Sequence, residues 1–206
     1  MFKLGLILLI GLGSGGLGFG YDQKAEKILS KLRDKMKETK AVSCTFSQVK
    51  RIRQVDGNLH LSGTILFQKP HFMRIEMRGD ANVDIYVREQ TVTLVDHDLE
   101  EVEYHHFNEL ARSEHWMSPM LIIFDLDEVE EMFEFTMTGG SRKEILRMIP
   151  RKKYHHIENI DMRVDEFQRI RWLRIRYKNG DMTDTKFRDW EKRKKILSGK
   201  SGQTNF

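Results

Sequence analysis

A two-residue alternation of apolar and polar side chains, repeated in one short segment after another, most constrains what this chain can fold into. Residues 63–77, GTILFQKPHFMRIEM, show it most fully. Gly63, Ile65 and Phe67 share one parity, and Met73, Ile75 and Met77 share another. Alternate residues of a strand point to the same face, so each arm offers a bulky apolar row on one side. Leu66 and Phe72 break the pattern. Pro70 between the arms cannot donate to a ladder and holds Lys69 extended, which puts the pair at a strand end. Lys69 has the parity of Ile65 and Phe67, so the register sets a cation at the rim of an apolar surface.

The same period recurs along most of the chain. Val42, Cys44 and Phe46 alternate with Ser43, Thr45 and Ser47, and a turn at Asp56, Gly57 and Asn58 follows. Leu59 to Phe67 reads as one long strand. Ile85 and Val87, then Val92 and Leu94, then Val102 and Tyr104 mark three short ones, with Arg78, Gly79 and Asp80 as a turn before them. Further strands are predicted around Phe133, Phe135 and Met137, at 145–150, around Ile160 and Met162, and around Leu173 and Ile175. Asn179 and Gly180 predict a type I′ hairpin leading into Thr183, Thr185 and Phe187. Short strands at hairpin spacing predict an antiparallel meander in a strongly curved sheet or open barrel.

Two stretches break the alternation. In residues 21–39, Ala25, Ile28, Leu29, Leu32 and Met36 recur at helical spacing behind Asp22, a natural N-cap. A single apolar stripe predicts a helix packed on the outside of a sheet. Residues 116–133 hold a run that is apolar nearly all round, with Pro119 at a helix start. Such a helix is either buried on most sides or covers an apolar opening.

The ends differ from the middle. Residues 1–20 carry Lys3, a short apolar run and then small residues, the pattern of a secretory signal peptide cut after Gly20. The mature domain is expected over 21–190, with a basic, loosely held tail over 191–206. The mature chain is expected to be secreted, soluble and monomeric. Cys44 is the single cysteine, so no internal disulfide is available, and its alternation with Phe46 predicts a buried, inert thiol. The formal net charge of +4 is spread among acids rather than blocked. That argues against nucleic acid and for anionic membrane surfaces or acidic partners.

Catalytic signatures do not emerge. There is no Gly-x-Ser-x-Gly elbow, no P-loop and no dinucleotide fingerprint. His105 with His106, and His155 with His156, point to opposite faces of a strand, so neither pair chelates a metal by itself. The acids from Asp125 to Glu131 lack calcium-loop spacing. No cofactor, no metal and no enzyme activity are expected. What remains is apolar shape, rich in methionine at Met73, Met77, Met137, Met148 and Met162, and at Met117 and Met120 of the middle stretch. Methionine suits surfaces that adapt to variable apolar ligands, although an ordinary core also uses it.

The order of these motifs resembles the LolA family, the periplasmic lipoprotein carriers. An amphipathic first helix precedes an Ala-x-x-x-x-Phe-x-Gln-like start at Ala41 to Gln48. The Gly63 to Met77 unit, the apolar middle stretch, a strand ending in Pro150, and Gly180, Asp181, Thr183 and Phe187 follow in order. The resemblance implies a mainly β fold with some α, an incomplete antiparallel β-barrel under a helical lid. It implies an acyl-chain cavity formed by Phe46, Ile65, Phe67, Met73, Ile75, Met77, Ile85, Val87, Val92 and Leu94. It implies a lid carrying Met117, Met120, Leu121, Ile123 and Phe124, latched at Lys69, where the family usually has arginine. Lysine brings a point charge instead of a planar fork. The usual Asp-Gly turn before the fifth strand is here Arg88, Glu89 and Gln90. Implied partners are acylated lipoproteins, an inner-membrane ABC-type lipoprotein transporter and an outer-membrane lipoprotein receptor. Glutamate at Ile65 or Ile75 is expected to leave a folded protein without acyl binding. The rival reading on the same half-barrel is a lipid- or lipopeptide-sensing envelope regulator.

Overall fold

The computed structural model describes residues 22–69, 72–106, 132–139, 144–151 and 156–193. Among them one helix, α1 (Gln23–Glu38), precedes eleven strands. These are β1 (Ala41–Arg51), β2 (Asn58–Gln68), β3 (Phe72–Gly79), β4 (Val83–Arg88), β5 (Thr91–Asp96) and β6 (Glu101–His106). They continue as β7 (Phe133–Thr138), β8 (Ile145–Pro150), β9 (Ile157–Val164), β10 (Ile170–Tyr177) and β11 (Met182–Lys192). The expected signal segment at 1–20, the middle stretch at 116–131 and residues 194–206 lie outside the described residues.

All eleven strands join one antiparallel sheet in the order β6-β5-β4-β3-β2-β1-β11-β10-β9-β8-β7. Two meanders, β1 to β6 and β7 to β11, are welded by the pairing of β1 with β11. β6 and β7, successive in the chain, lie at opposite edges, and the sheet is not closed. β11 runs on to Lys192, which pairs with Val42, so the strand outlasts the domain limit expected at residue 190.

Register turns the alternation into apolar rungs. Cys44, Ile65, Ile75, Ile85 and Leu94 stand side by side across β1 to β5, as do Val42, Phe67, Met73, Val87 and Val92. The second half matches, with Leu173, Met162 and Leu146 in one rung and Ile175, Ile160 and Met148 in the next. Each buried Ile or Met side chain contributes about 1.5–3 kcal/mol. Side chains from β3 to β5 share one cluster with Phe133, Leu146 and Ile157 from the far half, which requires the sheet to curl over its apolar face. The rungs end at β6, where Glu103 and His105 occupy the apolar parity and Val102 and Tyr104 face outward, 45% and 73% exposed.

Gly63 is a packing necessity. A Cβ there would run into the backbone oxygen of Glu76 and sit 3.0 Å from the ring of Phe46, which pairs with it across β1 and β2. The glycine lets β3 approach closely while Phe46 fills the space.

Two expectations need correction. The α1 stripe of Ala25, Leu29 and Leu32 joins the sheet's main apolar cluster, so the helix lies on the apolar face and not on the outside. The β10–β11 hairpin is not type I′. Gly180 has φ 91, its N–H donates to Tyr177 O at 2.9 Å, and Asn179 has no positive φ. A type I turn followed by a left-handed residue is the other common way to close a hairpin. The β9–β10 turn repeats it without glycine, with Gln168 at φ 57 and its N–H on Asp165 O at 3.0 Å.

Candidate functional site

The apolar face is tightly filled over most of its area. Phe46, Ile65, Met73, Ile75, Met77, Ile85, Val87, Val92 and Leu94 all lie on it and all are buried. Phe67 differs, being half-buried at the end of β2 and lining a groove of about 280 Å³. The groove runs between the last turns of α1 and one end of the sheet. Leu32 and Met36 from α1, Val42 from β1, Phe67 from β2, Ile170 from β10 and Trp190 from β11 make most of its apolar lining, with Phe167 from the β9–β10 turn at its side. Phe67 is thus the one predicted cavity residue that reaches it. Met117, Met120, Leu121, Ile123 and Phe124 lie outside the described residues.

Trp190 was missed because a bulge changes its parity. Thr183, Thr185 and Phe187 face the apolar side, so strict alternation would send Trp190 outward. The pairing shifts between Ser43 and Thr45, and Asp189 adopts φ 50. An inserted residue of this kind re-aims those beyond it, and aspartate tolerates the left-handed region. Thr45 Oγ1 donates to Asp189 Oδ2 at 2.6 Å and holds the bulge. Trp190 then packs 6.2 Å from the Phe187 ring and donates Nε1–H to Ile170 O at 3.0 Å. Leu32 and Met36 were legible as a helical stripe, but not as a groove wall.

α1 is tied mainly at its ends. Asp22 caps it, accepting from Lys24 N at 3.1 Å and Ala25 N at 3.2 Å, and its other oxygen accepts from Met137 N of β7 at 2.6 Å. The Met137 bond leads in holding the Asp22 carboxyl below the usual range. At the other end Lys69 Nζ donates to Lys37 O at 3.0 Å, and Lys69 N to Lys40 O at 2.9 Å. The lysine from the strand corner therefore meets one of the carbonyls that a helix C-terminus leaves open.

The opposite face is polar and internally neutralised. Asp161 is 2% exposed and accepts from Arg147 Nε at 2.7 Å and Arg176 Nη1 at 2.7 Å. Burial pushes its carboxyl up, but the two guanidiniums outweigh that and hold it low. Asp84 is held low in the same way, burial being outweighed by Arg78 and His97. Asp184 accepts from Arg174 and from Trp172 Nε1. Burial, with a smaller push from Asp189, drives the Cys44 thiol up to about 12, which removes it as a nucleophile at neutral pH. Among the described residues no group of three His, Cys, Asp or Glu is placed to hold a metal ion.

Solved structures share this architecture at low identity. An uncharacterised conserved protein from Thermus thermophilus matches with a TM-score of 0.55 at 10% identity, over 84% of this chain and 90% of that one. A DUF1329 family protein from Desulfovibrio piger gives 0.51 at 11%, over 85% and 95%. MucB gives 0.51 at 13%, over 86% of this chain and 62% of its own. These likenesses are of fold. Among curated proteins the sequence has no match. The family model described as "Outer membrane lipoprotein carrier protein LolA" matches residues 37–199, from the end of α1 to beyond the last strand. With most of the chain matched and the sheet open at both edges, the protein belongs to the LolA family.

Proposed function

We propose that the protein is a periplasmic carrier that holds lipoprotein acyl chains against the apolar face of its sheet. It would take them from an inner-membrane ABC-type transporter and pass them to an outer-membrane receptor. The observation that carries this reading is the groove under α1, whose lining continues the apolar rungs. Long acyl chains lose about 0.8 kcal/mol per methylene on leaving an apolar environment and need a comparable surface in transit. At about 280 Å³ the groove admits part of such a cargo, near the lower bound for ligand sites, ~300 Å³. Loading more requires α1 to tilt away from the sheet. Its ties at Asp22 and Lys69 leave the apolar stripe between them as the moving surface. In this reading the run holding Met117, Met120, Leu121, Ile123 and Phe124 adds further cover.

The test is native mass spectrometry of the protein released from the periplasm without detergent, beside a Met36→Glu variant. Met36 lines the groove and is only half-buried, so a carboxylate there leaves the core intact. Acylated cargo on the native chain, lost from a variant with unchanged thermal unfolding, is the expected result. A folded variant that keeps its cargo would overturn the proposal. Ile75→Glu is a poor probe, because Ile75 is wholly buried and a charge there costs the fold itself.

A further inference from the structure

The mouth of the groove is unequal in charge. Its acids are already spent: Glu191 pairs with Arg193 at 2.8 Å, and Asp165, beside the groove, holds Arg169 at 2.8 Å. Two other cations line it, Lys35 on the last turn of α1 and Lys192 at the end of β11. Among the described residues neither has a carboxylate within ion-pair distance. Lys69, two positions beyond Phe67 on β2, adds a third positive charge close by, spent on Lys37 O. The helix dipole favours a lysine at Lys35 but has no claim on Lys192, which is placed by its pairing with Val42. Two ammonium groups without an ion-pair partner among the described residues therefore line one apolar slot.

We infer that the groove takes an amphiphile with a single apolar chain and an anionic head, a carboxylate or a phosphate monoester. The chain lies on Phe67, Met36 and Trp190, and the head sits between Lys35 and Lys192. The slot of about 280 Å³ suits one chain, not several. This rests on the acyl-binding reading above and adds a smaller ligand class, with its head chemistry, beside the lipoprotein cargo. One half-buried and one exposed charge contact, from Lys35 and Lys192 at the edge of an apolar site, favour the anion over a neutral head by roughly fivefold to tenfold.

The experiment is displacement of N-phenyl-1-naphthylamine, an uncharged fluorophore, by laurate, dodecyl phosphate and dodecanol at low ionic strength. Both anions should displace it at about a tenth of the dodecanol concentration, with the margin shrinking in about 0.5 M salt. The double variant Lys35→Gln with Lys192→Gln should bring the anions to within about twofold of dodecanol and leave dodecanol unchanged. Laurate ahead of dodecyl phosphate would assign the head to free fatty acids, and the reverse order to phosphate-bearing lipids. Equal displacement by all three compounds overturns the head-group inference alone, as does a margin that survives in the double variant. Failure of all three to displace a bound probe overturns the acyl-binding reading as well.

Discussion

Glu89 is one of four described non-glycine residues held at positive φ. It sits at φ 54 in the loop between Arg88 and Thr91, which pair with each other and leave two residues to turn the chain. Gln90 is not left-handed, so the turn has a positive φ at its first central position only, the pattern of type II′, which selects glycine there. Holding an L-residue left-handed costs about 1–2 kcal/mol. A glycine gives back about 0.5–1 kcal/mol through its greater freedom in the unfolded chain. The strain term is larger, so Glu89→Gly should stabilise the protein by about 0.5–1 kcal/mol, a rise of a few degrees in the thermal midpoint. A midpoint that is unchanged or lower would show that the strain is relieved within the turn. Asp189, at φ 50, invites no such change, because its carboxylate holds Thr45 and its conformation turns Trp190 into the groove.

At the scale of elements, α1 depends on Asp22 more than an ordinary helix depends on its cap. One carboxylate satisfies two helix N–H groups and a third on β7, fixing helix to sheet as well as capping it. Asp22→Ala should cost about 2 kcal/mol, roughly half from the cap and half from the charge-assisted bond to Met137. Asp22→Asn keeps an acceptor for the two helix N–H groups but turns its amide NH2, a donor, towards Met137 N–H, so it should restore only about the cap's half of that in urea unfolding. Equal losses in both variants would mean that charge, not capping, holds the helix. The helix and its N-cap were legible in sequence, since a period of 3.6 behind an aspartate has few other meanings. The strands were legible for a similar reason, because a half-buried strand has to alternate. Sequence did not show which face α1 covers, because one stripe fits either side of a sheet. It also hid the turn from Asp165 to Arg169, which closes with Gln168 where a glycine would have signalled it. The groove was the least visible feature: of its apolar residues only Phe67 lies in the alternating stretch 63–77, and a bulge supplies Trp190.

At the scale of the whole molecule, the described residues form one sheet under α1, with an apolar and a polar face, and in the proposed role the polar face stays folded while the apolar face opens. The polar face achieves this with carboxylates that are buried but never alone, chiefly Asp161 between Arg147 and Arg176 and Asp84 beside Arg78. Both are held below their ordinary range in the folded state. Their contribution is therefore complete above the unfolded carboxylate value of about 3.9 and is lost as pH falls through the lower folded values. Stability should be flat from about pH 7 to 5 and fall steeply below about pH 4. Asp161→Asn separates this pair from the rest. At about pH 7 it leaves two guanidiniums facing a neutral amide, which should cost about 3 kcal/mol. As pH falls from about 4 through the lower folded value, the native chain loses the same interaction by protonation, so the two stability curves should converge only towards about pH 2. Urea unfolding at about pH 7 and about pH 2 decides it. Curves that stay parallel would mean that Asp161 keeps its charge or contributes little. The acid sensitivity would then lie with Asp84, at the other half of the sheet.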